Sequence, residues 1–204
     1  MKCNFILPLW TLGITSASLT LLPAADWTQY RGSMTDGRSS EKLTLASPVP
    51  STGLPKAWQT PAETGFSSFV VADGKAFTIV GRQMDGAKRE VLVALNADDG
   101  KELWAKPFGT SRYDGGGDSG TRNNSGGDGP RSTPAVSDGR VFVYNSVMKL
   151  VCFAAQDGKE LWSQDIIKDF GGKNIQWQSA ASPLLDDGRV FVAGGGASQS
   201  LLAF

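Results

Sequence analysis

The sequence predicts an all-β fold: a β-propeller of four-stranded antiparallel blades, present as an incomplete N-terminal fragment of about three blades. Three observations predict it. The first is a repeat. Glu90–Trp104 reads as an apolar strand, a polar turn and a second strand ending on tryptophan; it returns as Leu150–Trp162 and opens again at Ser200–Phe204. The second is the Asp-Gly pair between apolar runs at Asp73-Gly74, Asp138-Gly139 and Asp187-Gly188. This is a strong short hairpin signal, because both central residues of the tight turn need positive φ. The third is the unbroken apolarity of Val91-Leu92-Val93-Ala94-Leu95. A strand apolar on both sides suits a blade stacked between two neighbours, whereas a sandwich predicts alternation and no strict repeat.

In chain order, residues 1–25 read as a signal peptide. Lys2 gives a positive start, Phe5 to Leu22 is mostly apolar, and Pro23-Ala24-Ala25 offers small residues for cleavage before Asp26. An uncleaved membrane anchor is the alternative; no later stretch approaches the length of a spanning helix. The implied location is periplasmic or secreted, with no membrane span after cleavage. Residues 26–54 form an N-terminal arm and linker. The arm opens on W-x-x-Y-R-G (Trp27, Tyr30, Arg31, Gly32), and prolines at 48, 50 and 55 argue against helix.

Residues 55–204 are the partial propeller, with blades at about 67–108, 132–166 and 181–204. In the first blade Ser68–Ala72 and Ala76–Val80 flank Asp73-Gly74, 81–89 is a polar loop, and Glu90–Asn96 pairs with Glu102–Phe108. In the second, Thr133–Ser137, Val141–Asn145, Lys149–Ala155 and Glu160–Ile166 follow the same order. In the third, Ser182–Asp186 and Val190–Gly194 precede Ser200–Phe204. Pro55–Pro61, centred on Trp58, aligns with the tryptophan strand of a blade whose first three strands are not ahead of it. Closed propellers have about four to eight blades, so the expectation is the N-terminal part of a longer protein.

Composition narrows the function classes. Lys+Arg and Asp+Glu are both 20, which gives no electrostatic case for nucleic acid. Histidine is absent from the sequence, which removes the commonest general base and metal ligand and any Ser/His/Asp or Cys/His set. Of the two cysteines, Cys3 lies in the leader; Cys152 takes the strand position of Ala94 and reads as a small buried hydrophobe. The loop 109–130 is rich in glycine, Asp and Asn, but its spacing fits neither a calcium loop nor a phosphate-cradling turn. It reads as a loosely ordered connection between blades.

The A-x-x-x-x-D-G-K-E-L-W at 94–104, Gly127–Val136, Gly171-Gly172-Lys173-Asn174 before Trp177 and the opening W-x-x-Y-R-G together resemble a secreted bacterial subgroup. That subgroup is the PQQ-binding-like β-propeller repeat proteins, within the pyrroloquinoline quinone repeat, or quinoprotein alcohol dehydrogenase-like, superfamily. The resemblance covers roughly residues 27–204. It implies either of two roles. One is a non-catalytic binding or scaffold module of the cell envelope, with envelope proteins or a small-molecule ligand in the funnel as partners. The other is a PQQ-dependent dehydrogenase oxidising an alcohol or sugar, with pyrroloquinoline quinone and calcium as cofactors. Its active site would then be completed by blades missing from this chain. The adjacent-cysteine pair of the dehydrogenase branch is missing, and its catalytic Asp is expected from a later blade. No catalytic residue and no metal ligand is assigned. Cofactor- or ligand-binding candidates are Arg131, with its guanidinium toward an anionic ligand, and Lys173 and Trp177 lining a central funnel. For each the structural alternative is packing or hydrogen bonding between blades.

Overall fold

The computed structural model describes residues 25–41, 50–61, 63–110, 129–175 and 178–204. The leader, most of the loop 109–130 and Trp177 lie outside the described residues. Strands β1 (Val70–Ala72), β2 (Lys75–Met84), β3 (Ala87–Asn96) and β4 (Glu102–Thr110) form one antiparallel sheet in that order. Strands β5 (Ala135–Ser137), β6 (Arg140–Tyr144), β7 (Lys149–Ala154) and β8 (Glu160–Asp165) form the second. A one-turn helix, α1 (Ile166–Phe170), leads on to a three-stranded sheet of β9 (Leu184–Asp186), β10 (Arg189–Ala193) and β11 (Leu201–Ala203). Three blade-like sheets in series make an incomplete propeller.

The Asp-Gly turns account for the first hairpin of each blade. Asp73 and Gly74 take φ 49° and 69°, Asp138 and Gly139 50° and 69°, Asp187 and Gly188 45° and 71°. Both central residues are left-handed, as the tight hairpin turn requires. The third-to-fourth strand turns are built differently. Gly100 and Gly158 take φ 71° and 69°, and the register slips beside each turn, between Ala94 and Leu95 and between Cys152 and Phe153.

Two expectations are corrected. The polar stretch 81–89 is not a loop: β2 and β3 run on through it as a hairpin, turning at Asp85-Gly86 (φ 50° and 75°). Its polar residues are held by charge. Arg82 donates from Nε to Glu63 and from both terminal nitrogens to Glu102, at 2.7–3.1 Å. The second correction is the end of the eighth strand. Ile166 is not strand but opens α1, because the ends of that turn are capped. The Asp165 side chain accepts from the Lys168 N–H, Asp169 accepts from the Asp165 N–H, and Gly171 closes the turn at φ 68°.

Three apolar layers hold the blades. Ala76, Val91, Val93 and Leu95 on one face of the first sheet pack with Trp58. Phe77, Ile79 and Leu92 on its other face meet Val141, Val143, Val151 and Phe153 of the second. Phe142, Tyr144, Leu150 and Cys152 then meet Val190 and Val192 of the third. Each fully buried large side chain contributes about 1.5–3 kcal/mol. Cys152 is buried in the last layer, and desolvation pushes its thiol up to about 11. The Tyr144 hydroxyl crosses the same layer to donate to the Ala193 carbonyl at 2.7 Å.

The tryptophans dock as the repeat implies. Trp104 sits 5.8 Å from Phe77 of its own blade, and Trp162 6.0 Å from Phe142. Forward, the Trp104 ring lies on Gly158 of the next blade, where a Cβ would come within 2.7 Å of the ring. Trp58 lies on Gly100 in the same way, within 2.4 Å, and donates its indole N–H to the Ala97 carbonyl. Gly100 and Gly158, in the turns between third and fourth strands, therefore answer two demands, a left-handed backbone and a seat for an indole.

Candidate functional site

The first strands of the blades, β1, β5 and β9, lie side by side, β1 against β5 and β5 against β9. The arm crosses all three. Trp27 exchanges both backbone hydrogen bonds with Val71, at 2.8 and 2.9 Å. The Val136 N–H donates to the Thr28 carbonyl at 2.8 Å. The Leu185 N–H donates to the Gln29 side-chain oxygen at 2.8 Å, and the Gln29 amide donates to the Leu185 and Ser33 carbonyls. Val71, Val136 and Leu185 are equivalent positions, each two residues before the Asp of its Asp-Gly turn. Three consecutive arm residues thus engage three consecutive blades at one repeat position.

The arm holds its own shape by laying side chains on glycines. The Trp27 ring covers Gly32 (φ 82°), whose added Cβ would come within 2.8 Å of it. The Arg31 guanidinium lies beside Gly37 (φ 76°), and the Gly37 N–H donates to the Arg31 carbonyl. Arg31 itself takes φ 65°, a conformation costly for a residue with a Cβ.

A second set of cross-blade contacts lies at the mouth of the first strands. The Ser68 N–H donates to the Thr133 hydroxyl at 3.2 Å, and the Thr133 N–H to the Ser182 hydroxyl at 2.9 Å. Ser68, Thr133 and Ser182 all stand five residues before the turn Asp. Outward from these, Glu90 is buried and faces the Ser146 N–H, while the Ser146 carbonyl accepts from the Asn174 side chain and the Ser179 N–H. The turn between β6 and β7 is thereby tied to both neighbouring blades.

The arm separates two clefts. On the side of the connections between blades, a cleft of about 730 Å³ is lined by Tyr30, Arg31 and Thr35 of the arm. Phe66, Arg131 and Leu184 of the blades, with the three hydroxyl residues, complete it. No Asp or Glu is among its described lining residues. On the side of the Asp-Gly turns, a cleft of about 480 Å³ is lined, among the described residues, by Asp26, Asp73 and Asp138 with Thr28, Ser33 and Ser137, and by no Lys or Arg.

Arg131 therefore lines the connector-side cleft, half-buried and already engaged within the protein. Lys173 is exposed, its N–H donating to the Gly194 carbonyl, and it is not among the residues of that cleft. Trp177 lies outside the described residues. Residues that sequence reasoning did not single out are Gln29 and the hydroxyls at 68, 133 and 182. The hydroxyls were findable, as a Ser or Thr at fixed distance ahead of each Asp-Gly.

Among the described residues, the connector-side cleft is lined by hydroxyls and arginine, whereas calcium takes six to eight oxygen ligands, carboxylates prominent among them. Among the described residues, no group of three or more His, Cys, Asp or Glu is placed to hold a metal ion. Also among them, no helix is long and apolar enough to cross a membrane.

The family model described as outer membrane protein assembly factor BamB matches residues 87–204. No curated protein was found to match. Among solved structures, the quinohemoprotein alcohol dehydrogenase from Comamonas testosteroni is similar with 19% identity and TM-score 0.56, over 84% of this chain and 23% of that one. A second quinohemoprotein alcohol dehydrogenase, ADHIIG from Pseudomonas putida HK5, has 22% identity and TM-score 0.47, over 69% of this chain and 19% of that one. BamB from Moraxella catarrhalis has 17% identity and TM-score 0.43, over 68% and 33%. At these identities the likeness concerns the fold alone. The chain spans between a fifth and a third of the length of these proteins.

Proposed function

The chain belongs to the family whose model it matches, described as outer membrane protein assembly factor BamB, and from that premise we propose an exported, non-catalytic binding or scaffold module of the cell envelope. The observation that carries this reading is the arm. Hydrogen bonds to β1, β5 and β9 brace the three blades across their first strands and leave a cleft on either side. Such a frame is suited to presenting fixed surfaces. One feature of the sequence supports the reading further: the apolar leader, which fits export.

The experiment is a titration of the full-length protein, later blades included, with pyrroloquinoline quinone and calcium, followed by an artificial electron-acceptor dye and an alcohol or sugar. The expected outcome is no quinone-dependent dye reduction. Saturable quinone binding with turnover would overturn the proposal and install the quinone-dependent dehydrogenase in its place.

A further inference from the structure

Residues 55–61 lie against the first blade as the fourth strand of a neighbouring blade would. Trp58 rests on Gly100 and donates its indole N–H to the Ala97 carbonyl, just as Trp104 rests on Gly158 one blade on. Pro61 stands three residues after Trp58, as Pro107 stands three after Trp104. Yet no sheet includes this segment. Among the described residues, no backbone amide or carbonyl from 55 to 60 is hydrogen-bonded, whereas β4 and β8 pair with β3 and β7. An unpaired extended backbone is a template for another strand. The sheet face beside it carries a cleft of about 470 Å³, lined among others by Trp58, Phe69, Val71, Val80 and Val93. The opposite face of the same sheet carries a whole blade, through Phe77, Ile79 and Leu92.

We infer that residues 55–61 are the outer strand of a further blade, whose three inner strands come from later residues of this same protein. The existing blades supply the register. Trp104 and Trp162 stand opposite Ala94 and Cys152, small residues beside a large ring. The residues just before these, Val93 and Val151, face Ala105 and Ser163. The strand that meets Trp58 therefore runs antiparallel to it and sets a small residue opposite the indole. An apolar residue one position earlier faces Gln59. Two observations assign this strand to the protein itself. Residues 55–61 run on toward β1, as the fourth strand β8 leads through α1 to β9. The chain also spans only 23% of the Comamonas testosteroni protein that shares its fold, so a protein of that length has room for further blades. The ring then closes on hydrogen bonds between segments far apart in sequence, with no covalent link.

The test uses the full-length protein, later blades included. Hydrogen exchange read by mass spectrometry should find the amides at 56–60 about a hundredfold slower than in the free peptide. Gln59→Cys is then combined with a cysteine just before the small residue of the last blade's third strand. Oxidation should link the two within one chain. Exchange as fast as in the free peptide, or no disulfide, would overturn the inference. A disulfide formed only between two chains would overturn it too, and would make the occupant a second copy. Neither readout depends on whether the quinone binds.

Discussion

The two clefts beside the arm share the same three strands and the same arm, yet their described residues bring side chains of opposite charge. Asp26, Asp73 and Asp138 line one; Arg31 and Arg131 line the other. The cause of the acidic mouth is turn chemistry. Asp73, Asp138 and Asp187 recur because a left-handed turn position tolerates Asp and Gly, and their carboxylates gather at one end of the first strands as a consequence. The basic mouth has no such origin, since one arginine sits on the non-repeated arm and the other where its counterparts are Phe66 and Ala180. In a protein built from repeats, a feature dictated by the repeat speaks about folding. A feature that departs from it is where recognition is to be sought.

Three substitutions break or sharpen that contrast. The largest effect is expected from Gly32→Val, which forces a β-branched residue to φ 82° and into the Trp27 ring. It costs the docked arm about 3 kcal/mol or more and merges the two clefts. Hydrogen exchange should accelerate at the Val71 and Val136 amides while Leu92 and Val151 stay protected; loss of protection throughout the blades would mean that the arm is inseparable from them. Gln29→Ala is milder. It removes the acceptor for the Leu185 amide, at a cost of about 1–2 kcal/mol, and frees the arm from the third blade alone, so exchange should rise at Leu185 and not at Val71. The smallest effect is expected from Asp138→Asn. Asn also tolerates the left-handed turn, so thermal stability should change by less than about 0.5 kcal/mol. A larger loss would show that the Asp138 carboxylate does more than serve the turn.

The blades were readable in the sequence because their information is local. An Asp-Gly between apolar runs and a tryptophan after Asp-Gly-Lys-Glu-Leu each specify structure within a dozen residues. The β2–β3 hairpin was missed although Asp85-Gly86 carries the same signal, because Arg82, Lys88 and Arg89 mask the apolar pattern. On β2, Arg82 is held between Glu63 and Glu102, partners about twenty positions away. Ile166 looked like the end of a strand, and the caps at Asp165 and Gly171 decided otherwise. The arm was recognised as a motif, but not what it does: Gln29 meets Leu185 across 156 positions, and no local rule encodes that pairing. Of the sequence candidates, Arg131 lines the connector-side cleft and Lys173 does not, since an exposed cation in a connector carries no information about which way the connector turns.

The hydroxyl contacts between first strands all run the same way around the stack, from the amide of an earlier blade to the oxygen of a later one. Thr133 takes part twice, through separate atoms. Losing one hydroxyl therefore orphans a single amide and leaves the next junction intact. Injury is confined to one seam, and a succession of near-copies can drift in sequence without unzipping.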